Sequence, residues 1–229
     1  MLPVVKSTAK TIGAFVEDFC TTDQRSTTVV VCCRRSRFFE QLALQAQSRS
    51  GASEERRPQN LRPDTHTATG DEVEGTQVFP EHVSLPLLQP TLRLLATSMS
   101  TNIVFCSNIP SFRAYVSTLS LREKDEEKRS KVIVVDMLAL HHGTSEFTIQ
   151  GLSRTFAMLG SVNHQIGGEM QLVECNDFHD PGDPQRGSRL WIAEVPLLSG
   201  SVKIGEAGQG WASRTTSIKS FAEKWFQFE

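Results

Sequence analysis

The segment from Lys131 to Leu159 constrains the fold of this chain more than any other. It begins with KVIVVD, a run of β-branched residues that ends on Asp136. Such a run without polar alternation is typical of a strand buried on both faces of a parallel sheet. A polar loop follows, and then apolar residues recur at helical spacing: Ile149, Leu152, Phe156 and Leu159. Because ligands of open α/β sheets bind beyond the carboxyl ends of the strands, Asp136 marks a candidate site.

The rest of the first two thirds alternates in the same way. Short apolar runs predict strands, and stripes with a period near 3.6 residues predict helices. This alternation predicts a mostly parallel central sheet flanked by helices. The predicted strands are Thr27–Cys33, Asn102–Ser107 and Met170–Asn176, and the predicted helices include a short one within residues 3–20 that begins near Ser7 or Thr8, the residues after Pro90, and Ile109–Leu121.

The last third has a different pattern. Arg189–Val195 is predicted to be a strand, and Ser199–Ile204 and Ser213–Lys219 are predicted to form a hairpin. The chain then ends in a short helix or strand with three buried aromatic residues. We therefore expect antiparallel strands at the carboxyl-terminal edge of the sheet.

The length of 229 residues suits a single domain with an insertion. Residues 48–77 are rich in Ser, Thr, Gly, Glu and Arg and nearly free of large apolar groups, so we expect a disordered insertion there. The net charge of −2 gives no general attraction to nucleic acid or to anionic membranes. A nucleic-acid site must therefore be a local patch, and no apolar run approaches the roughly 20 residues of a membrane span.

The cysteines and histidines do not form a motif. None of the five cysteines belongs to a C-x-x-C pair, so we expect reduced core thiols and a cytosolic or nuclear protein. His141, His142 and Glu146 lack a further ligand at motif spacing, so no metal site is expected. No serine lies in a G-x-S-x-G elbow, and no catalytic residue is assigned.

The turn after Thr27–Cys33 lies where many nucleotide-binding folds carry a phosphate loop. Its residues are Arg34, Arg35, Ser36 and Arg37. A Walker loop needs glycines, whose backbone wraps the phosphates, and a lysine. This turn has neither, so ATP hydrolysis is not expected. Its arginines suit bidentate contact with a phosphate backbone, or alternatively contact with solvent or with a partner subunit.

Three stretches in this order resemble the RecA-type core of eukaryotic and archaeal strand-exchange recombinases and their paralogues. Val132–Asp136 is similar to a Walker B strand, with Asp136 as its acid or, alternatively, as a turn cap. Glu146–Leu159 is similar to the first DNA-binding loop and its helix, and Arg214–Phe228 to the recombinase carboxyl terminus. The resemblance implies a single RecA-like domain over residues 1–229. It also places the loop HDPGDPQRGSR, which contains Arg186 and Arg189, at the second DNA-binding loop.

A short paralogue without a Walker A loop resembles the subunits of Shu-type complexes. The resemblance implies a nuclear, non-catalytic mediator of homologous recombination that needs no cofactor. It would bind a RecA-like paralogue subunit, assist recombinase filaments, contact no membrane, and bind DNA weakly. The candidate DNA-binding residues are Arg34, Arg35, Arg37, Arg186 and Arg189. Two alternatives are a RecA-like accessory subunit of an Elongator-type ring in tRNA modification, and an ATPase with a deviant phosphate loop.

Overall fold

A computed structural model of the protein describes residues 2–6, 10–22, 26–54, 91–122, 131–167, 169–197 and 215–229. Within these ranges the strands and helices alternate along most of the chain, as expected. In chain order the elements are β1 (Val4–Lys6), α1 (Ile12–Thr22), β2 (Thr27–Val31), α2 (Arg35–Glu54), α3 (Leu92–Ser100), β3 (Thr101–Phe105), α4 (Ile109–Arg122), β4 (Lys131–Val135), α5 (Met137–His141), α6 (Ile149–Ile166), β5 (Glu169–Val173), α7 (Arg189–Ile192), β6 (Glu194–Pro196), β7 (Thr215–Ser217), α8 (Ile218–Ala222) and β8 (Gln227–Phe228).

The central sheet has six strands in the order β3-β2-β4-β5-β1-β8, and every neighbouring pair is parallel. Strands β6 and β7 form a separate antiparallel pair in which Val195 lies opposite Thr216. The fold class is therefore α/β, with a parallel sheet, flanking helices and a small antiparallel ladder, which confirms the prediction from strand–helix alternation.

Both faces of the sheet are covered, because alternate side chains of each strand point to opposite layers. One face, with Val30, Val132 and Leu172, packs against α4, α6 and the elements near the carboxyl terminus. The other, with Val29 and Ile133, packs against α1 and α2. This double burial explains why the strand β4 lacks polar alternation.

Two elements differ from the prediction. Val4–Lys6 forms a strand between β5 and β8, although the sequence predicted only a helix in residues 3–20. Three residues are too few to produce a periodic signal against the longer helical stripe. Arg189–Val195 is not one strand, because its first part is the helical turn α7 and only its end belongs to β6.

The insertion prediction is partly wrong and partly outside the described residues. Helix α2 continues through Ser48 to Glu54, where we had expected the disordered segment to begin. Residues 55–77 lie outside the described residues, as does Ser199–Ile204, the first strand of the predicted hairpin. The terminal strand β8 joins the edge of the sheet in the parallel sense. Among the described residues, no helix has the length and apolar character needed to cross a bilayer.

Candidate nucleic-acid site at the carboxyl edge of the sheet

A cleft opens at the carboxyl ends of β2 and β4. After β2 the chain continues to β3, and after β4 it continues to β5, so the two connections run in opposite directions along the strand order. This reversal is the topology that opens a crevice between two neighbouring parallel strands. The cleft has a volume of 650 Å³. Its lining residues are Cys32, Cys33, Arg34, Ser36, Arg37, Glu40, Gln41, Leu44, Ser107, Ala139, Leu140, Asp177, His179 and Arg186.

Asp136 lies fully buried beside this cleft and has a left-handed backbone with φ of 59°. One carboxylate oxygen, Oδ1, accepts a hydrogen bond of 2.8 Å from the amide of Cys175. The other, Oδ2, lies 3.3 Å from Nη1 of Arg186, whose side chain is 11% exposed. Burial raises the pKa of Asp136, and the Arg186 guanidinium opposes that rise. Arg186 therefore pairs with the carboxylate oxygen of Asp136 that the Cys175 amide does not contact.

A second buried carboxylate, Glu174, was not singled out from the sequence. Its oxygens accept hydrogen bonds from the amides of Leu138, at 2.6 Å, and Ala139, at 3.3 Å. Burial raises the pKa of Glu174 well above its ordinary value. The side chain ties the end of β5 to the start of α5. A sequence signal existed, because an acid follows both VIVV and MQLV at the ends of neighbouring buried strands.

The arginines of the turn after β2 have different surroundings. Arg34 is exposed at the cleft and forms no ion pair with any described residue. Arg35 lies over the ring of Phe39, with its guanidinium carbon 5.4 Å from the ring centroid. Arg37 lies 3.7 Å from a carboxylate oxygen of Asp177. The structure thus brings Arg34 and Arg37 to the cleft and leaves Arg34 as the cation most available to a ligand.

In the loop between β5 and α7, three aspartates form local turns through hydrogen bonds with the backbone. Asp177, Asp180 and Asp183 each accept a hydrogen bond from a backbone amide two residues further along. The guanidinium of Arg189 donates to the carbonyl of Gly182 within the same loop. Arg189 is therefore engaged in the loop's own structure and does not line the cleft, whereas Arg186 from this loop does.

The first strand–turn–helix unit, β1 to α1, also resembles a degenerate phosphate loop. Lys10 and Thr11 directly precede α1, as the lysine and hydroxyl residue of a Walker loop do, but Val4 and Ala9 stand where that loop has its two glycines. Lys10 pairs with Asp18 at 2.9 Å, and the Thr11 hydroxyl donates to Gln45 at 2.8 Å. Both side chains are thus held by this chain itself.

The thiols at the cleft are poor nucleophiles. Burial raises the pKa of Cys33 to about 11 and that of Cys32 well above its ordinary value. A thiolate is the reactive form of cysteine, so both groups are protonated and unreactive at neutral pH.

The loop before α6 and the first turn of that helix are held by a partly buried polar network. Arg113 donates to the Thr155 hydroxyl at 3.1 Å, and to the Glu146 carboxylate and the Gly151 carbonyl at 2.9 Å each. His141 contacts the Glu146 carbonyl with Nδ1 at 3.4 Å and the Thr155 hydroxyl with Nε2 at 3.1 Å. Because a carbonyl only accepts, Nδ1 carries the hydrogen and Nε2 accepts. Burial lowers the pKa of His141 to about 4, so the ring is neutral.

No cluster of three or more metal-ligating side chains occurs among the residues that the structure describes. Comparisons with protein-family models, curated proteins and solved structures gave no significant match. The chemistry of the cleft therefore has to be inferred from its own residues.

Proposed function

We propose that this chain is a non-catalytic, RecA-like accessory subunit that contacts a DNA backbone and assists recombinase filaments together with a RecA-like partner. The observation that carries the proposal is the pairing of Asp136 with Arg186 beside an arginine-lined cleft. The acid at the Walker B position has its own counter-ion, and the nearby turn offers guanidinium groups instead of a glycine cradle. This arrangement favours contact with phosphates over hydrolysis of a nucleotide.

The expected affinity is modest. The acids Glu40 and Asp177 also line the cleft, so its charge is only weakly positive. Each phosphate contact with a single strand contributes about 0.7 to the slope of log affinity against log salt. If Arg34 and Arg37 each contact one phosphate, their joint removal should reduce that slope by roughly 1.4.

The test is a fluorescence-anisotropy titration of labelled single-stranded DNA at several salt concentrations. The double variant Arg34→Ala/Arg37→Ala, which removes two cations that line the cleft, should bind more weakly and with the shallower slope. The matched control is Lys219→Ala/Lys224→Ala, which removes two cations that do not line the cleft and should change little. Unchanged affinity in the arginine variant would exclude the assigned site.

A second candidate is an accessory subunit of an Elongator-type ring that binds tRNA. It is favoured by large apolar side chains exposed near both edges of the sheet, because a ring subunit has two different neighbours. Leu92 and Met99 belong to α3, which leads directly into the edge strand β3, while Leu2 and Ile192 are each next in sequence to a residue that contacts β8. Titration with tRNA in competition with single-stranded DNA separates the candidates: preference for tRNA would favour the ring.

A further inference from the structure

The cleft already contains an anionic group of this chain. One carboxylate oxygen of Asp177, Oδ2, lies 3.7 Å from a guanidinium nitrogen of Arg37 and 3.5 Å from the side-chain amide nitrogen of Gln41. The other oxygen, Oδ1, accepts a hydrogen bond of 3.0 Å from the His179 amide. Asp177 therefore holds a negative charge where an anionic ligand of the cleft would contact Arg37, and such a ligand has to displace it.

The arginines of the cleft differ in what a ligand must displace to reach them. Arg34 is exposed and forms no ion pair with any described residue, so a phosphate can contact it directly. Arg186 is 11% exposed and is paired with the buried Asp136. Arg37 is 47% exposed, so a phosphate can contact it once Asp177 moves away. The balance of that exchange depends on the charge of the ligand.

A terminal phosphate is favoured over an internal one in this exchange. An internal phosphodiester carries one negative charge, as the Asp177 carboxylate does, so replacing one by the other at Arg37 gains little. A phosphate monoester carries about −1.5 to −2 charges at pH 7 and offers three acceptor oxygens. The guanidinium of Arg37 binds the more highly charged group more strongly. Asp177 thus acts against internal phosphates more than against terminal ones.

The shape of the cleft also favours the end of a strand. Gln41, which is 9% exposed, accepts a hydrogen bond of 3.0 Å from the backbone amide of Phe178. Together with the contacts of Asp177, this bond joins α2 to the loop after β5 and closes the cleft on that side. The volume of 650 Å³ lies in the usual range for sites that enclose a small group. A strand that passes through needs a groove open at both ends, whereas a strand end needs one entrance.

We infer that the cleft binds the terminal phosphate of single-stranded DNA, and that Asp177 is the residue that makes it selective for this group. The terminal phosphate replaces the Asp177 carboxylate at Arg37, and Arg34 contacts the next phosphate of the strand. The inference rests on the proposed function for the nature of the strand, and it adds which part of the strand the cleft recognises. A free mononucleotide has the same terminal group but none of the following phosphodiesters, so it binds much more weakly.

The direct test compares three oligonucleotides of one sequence, each with an internal fluorophore, in anisotropy titrations of the full chain. One has a 5′-phosphate, one has a 3′-phosphate, and one has hydroxyl groups at both ends. We expect one of the phosphorylated ends to increase the affinity about tenfold over the hydroxyl ends, as a charge-assisted hydrogen bond does. A hydroxyl-ended strand that is longer by a single nucleotide adds a charge without a terminal phosphate and should gain much less. Equal affinity for all three strands, an equal gain from the added nucleotide, or displacement of the strand by an equal concentration of thymidine monophosphate would each overturn the inference.

The variant Asp177→Asn tests the exchange at Arg37. Asparagine removes the charge and keeps an acceptor for the His179 amide. The variant should bind the hydroxyl-ended strand several-fold more tightly and discriminate less between the two kinds of end. The matched control is Asp180→Asn, which removes the same charge from a similar turn of the same loop, does not line the cleft, and should leave both affinities nearly unchanged. An equal effect of the two variants, or a gain from Asp177→Asn that persists in the Arg37→Ala background, would contradict the exchange.

The outcome is separable from that of the proposed function. If the three oligonucleotides bind equally and Arg34→Ala/Arg37→Ala weakens the binding of all of them, the backbone contact stands and the preference for strand ends is wrong. If the preference for strand ends persists in Arg34→Ala/Arg37→Ala, the terminal phosphate binds outside the cleft and both assignments fail. Absence of binding to every oligonucleotide would overturn both.

Discussion

The ion pair of Asp136 and Arg186 fastens the loop after β5 to the end of β4. Arg186→Met leaves the fully buried Asp136 without its counter-ion. Breaking a buried pair by removing one partner typically costs about 3–5 kcal/mol. We therefore expect the free energy of unfolding of Arg186→Met to fall by about 3 kcal/mol, measured by urea denaturation at neutral pH.

Two further variants test the cause of that loss. Asp136→Asn in the Arg186→Met background removes the uncompensated charge, keeps an acceptor for the Cys175 amide, and suits the left-handed backbone. It should recover a large part of the lost stability. Arg189→Met, an exposed change next to the same loop, should cost less than about 1 kcal/mol. A similar loss in both arginine variants would contradict the role of the buried pair.

His141 makes the stability depend on pH in a defined window. Its pKa is about 4 in the folded protein and 6.5 ordinarily. Between these values the unfolded chain binds a proton that the folded chain does not. The free energy of unfolding therefore falls as pH drops from 6.5 to about 4, by roughly 3 kcal/mol in total. Above pH 6.5 this group adds no pH dependence.

The measurement is chemical denaturation of the wild type and His141→Asn at pH 7.5 and pH 5. The asparagine amide can still donate to the Glu146 carbonyl but cannot bind a proton in this range. The difference between the two proteins isolates His141 from the buried carboxylates, whose raised pKa values act in the opposite direction. A wild-type loss on acidification that persists fully in His141→Asn would exclude this histidine as its source.

At the scale of elements, two glycines of α6 should respond in opposite ways to alanine. A Cβ on Gly151 would overlap the backbone carbonyl oxygen of Glu146, which cannot move without shifting the loop. A Cβ on Gly160 would lie 3.7 Å from the Trp225 ring, an ordinary contact. Gly160→Ala should raise the free energy of unfolding by about 0.5–1 kcal/mol, whereas Gly151→Ala should lower it by about 1–3 kcal/mol.

Thermal or urea unfolding of the two variants provides the comparison, and each serves as the control for the other. Stabilisation by alanine at both positions would mean that the loop before α6 is not packed closely against Gly151. That loop would then be looser than the polar network around Arg113 implies.

Strands and helices with a clear hydrophobic period could be predicted from the sequence, whereas very short ones could not. The strand β4 and the helix α6 follow from an apolar run and a helical stripe that fill whole elements. The three-residue β1 and the four-residue α7 carry too few residues to establish a period. The apolar run in RLWIAEV suggested a strand, whereas its first part forms a short helical turn in which Leu190 and Trp191 are buried.

The residues of the candidate site that directly follow a buried strand could be predicted from the sequence. Asp136 and the arginine turn after β2 were found because each directly follows a buried strand. The partner of Asp136 could not be found, because Arg186 lies 50 residues further along and on a loop. The same holds for the contact of Arg113 with Thr155 across 42 residues, since only the assembled fold brings them together.

At the scale of the whole molecule, the chain should not bind magnesium-nucleotide. Asp136 is paired with Arg186, and Lys10 and Thr11 are held by Asp18 and Gln45. We expect no saturable heat of binding when Mg-ATP is titrated into the protein in a calorimeter. Saturable binding would favour the hypothesis of an ATPase with a deviant phosphate loop.

A variant of Asp136 tests whether any nucleotide that does bind occupies the cleft. Should binding occur, Asp136→Asn tests whether the buried carboxylate takes part, because it removes the charge while keeping the shape. Binding that survives this change would place the nucleotide elsewhere in the molecule.

The most direct test of the central claim is affinity purification of the full chain from its own cells, read by mass spectrometry. A chain of this kind should act as a non-catalytic subunit beside RecA-like partners. We predict recovery of a strand-exchange recombinase or of RecA-like repair paralogues in near-stoichiometric amounts. Recovery of Elongator subunits would move the function to tRNA modification, and recovery without any RecA-like protein would contradict the account.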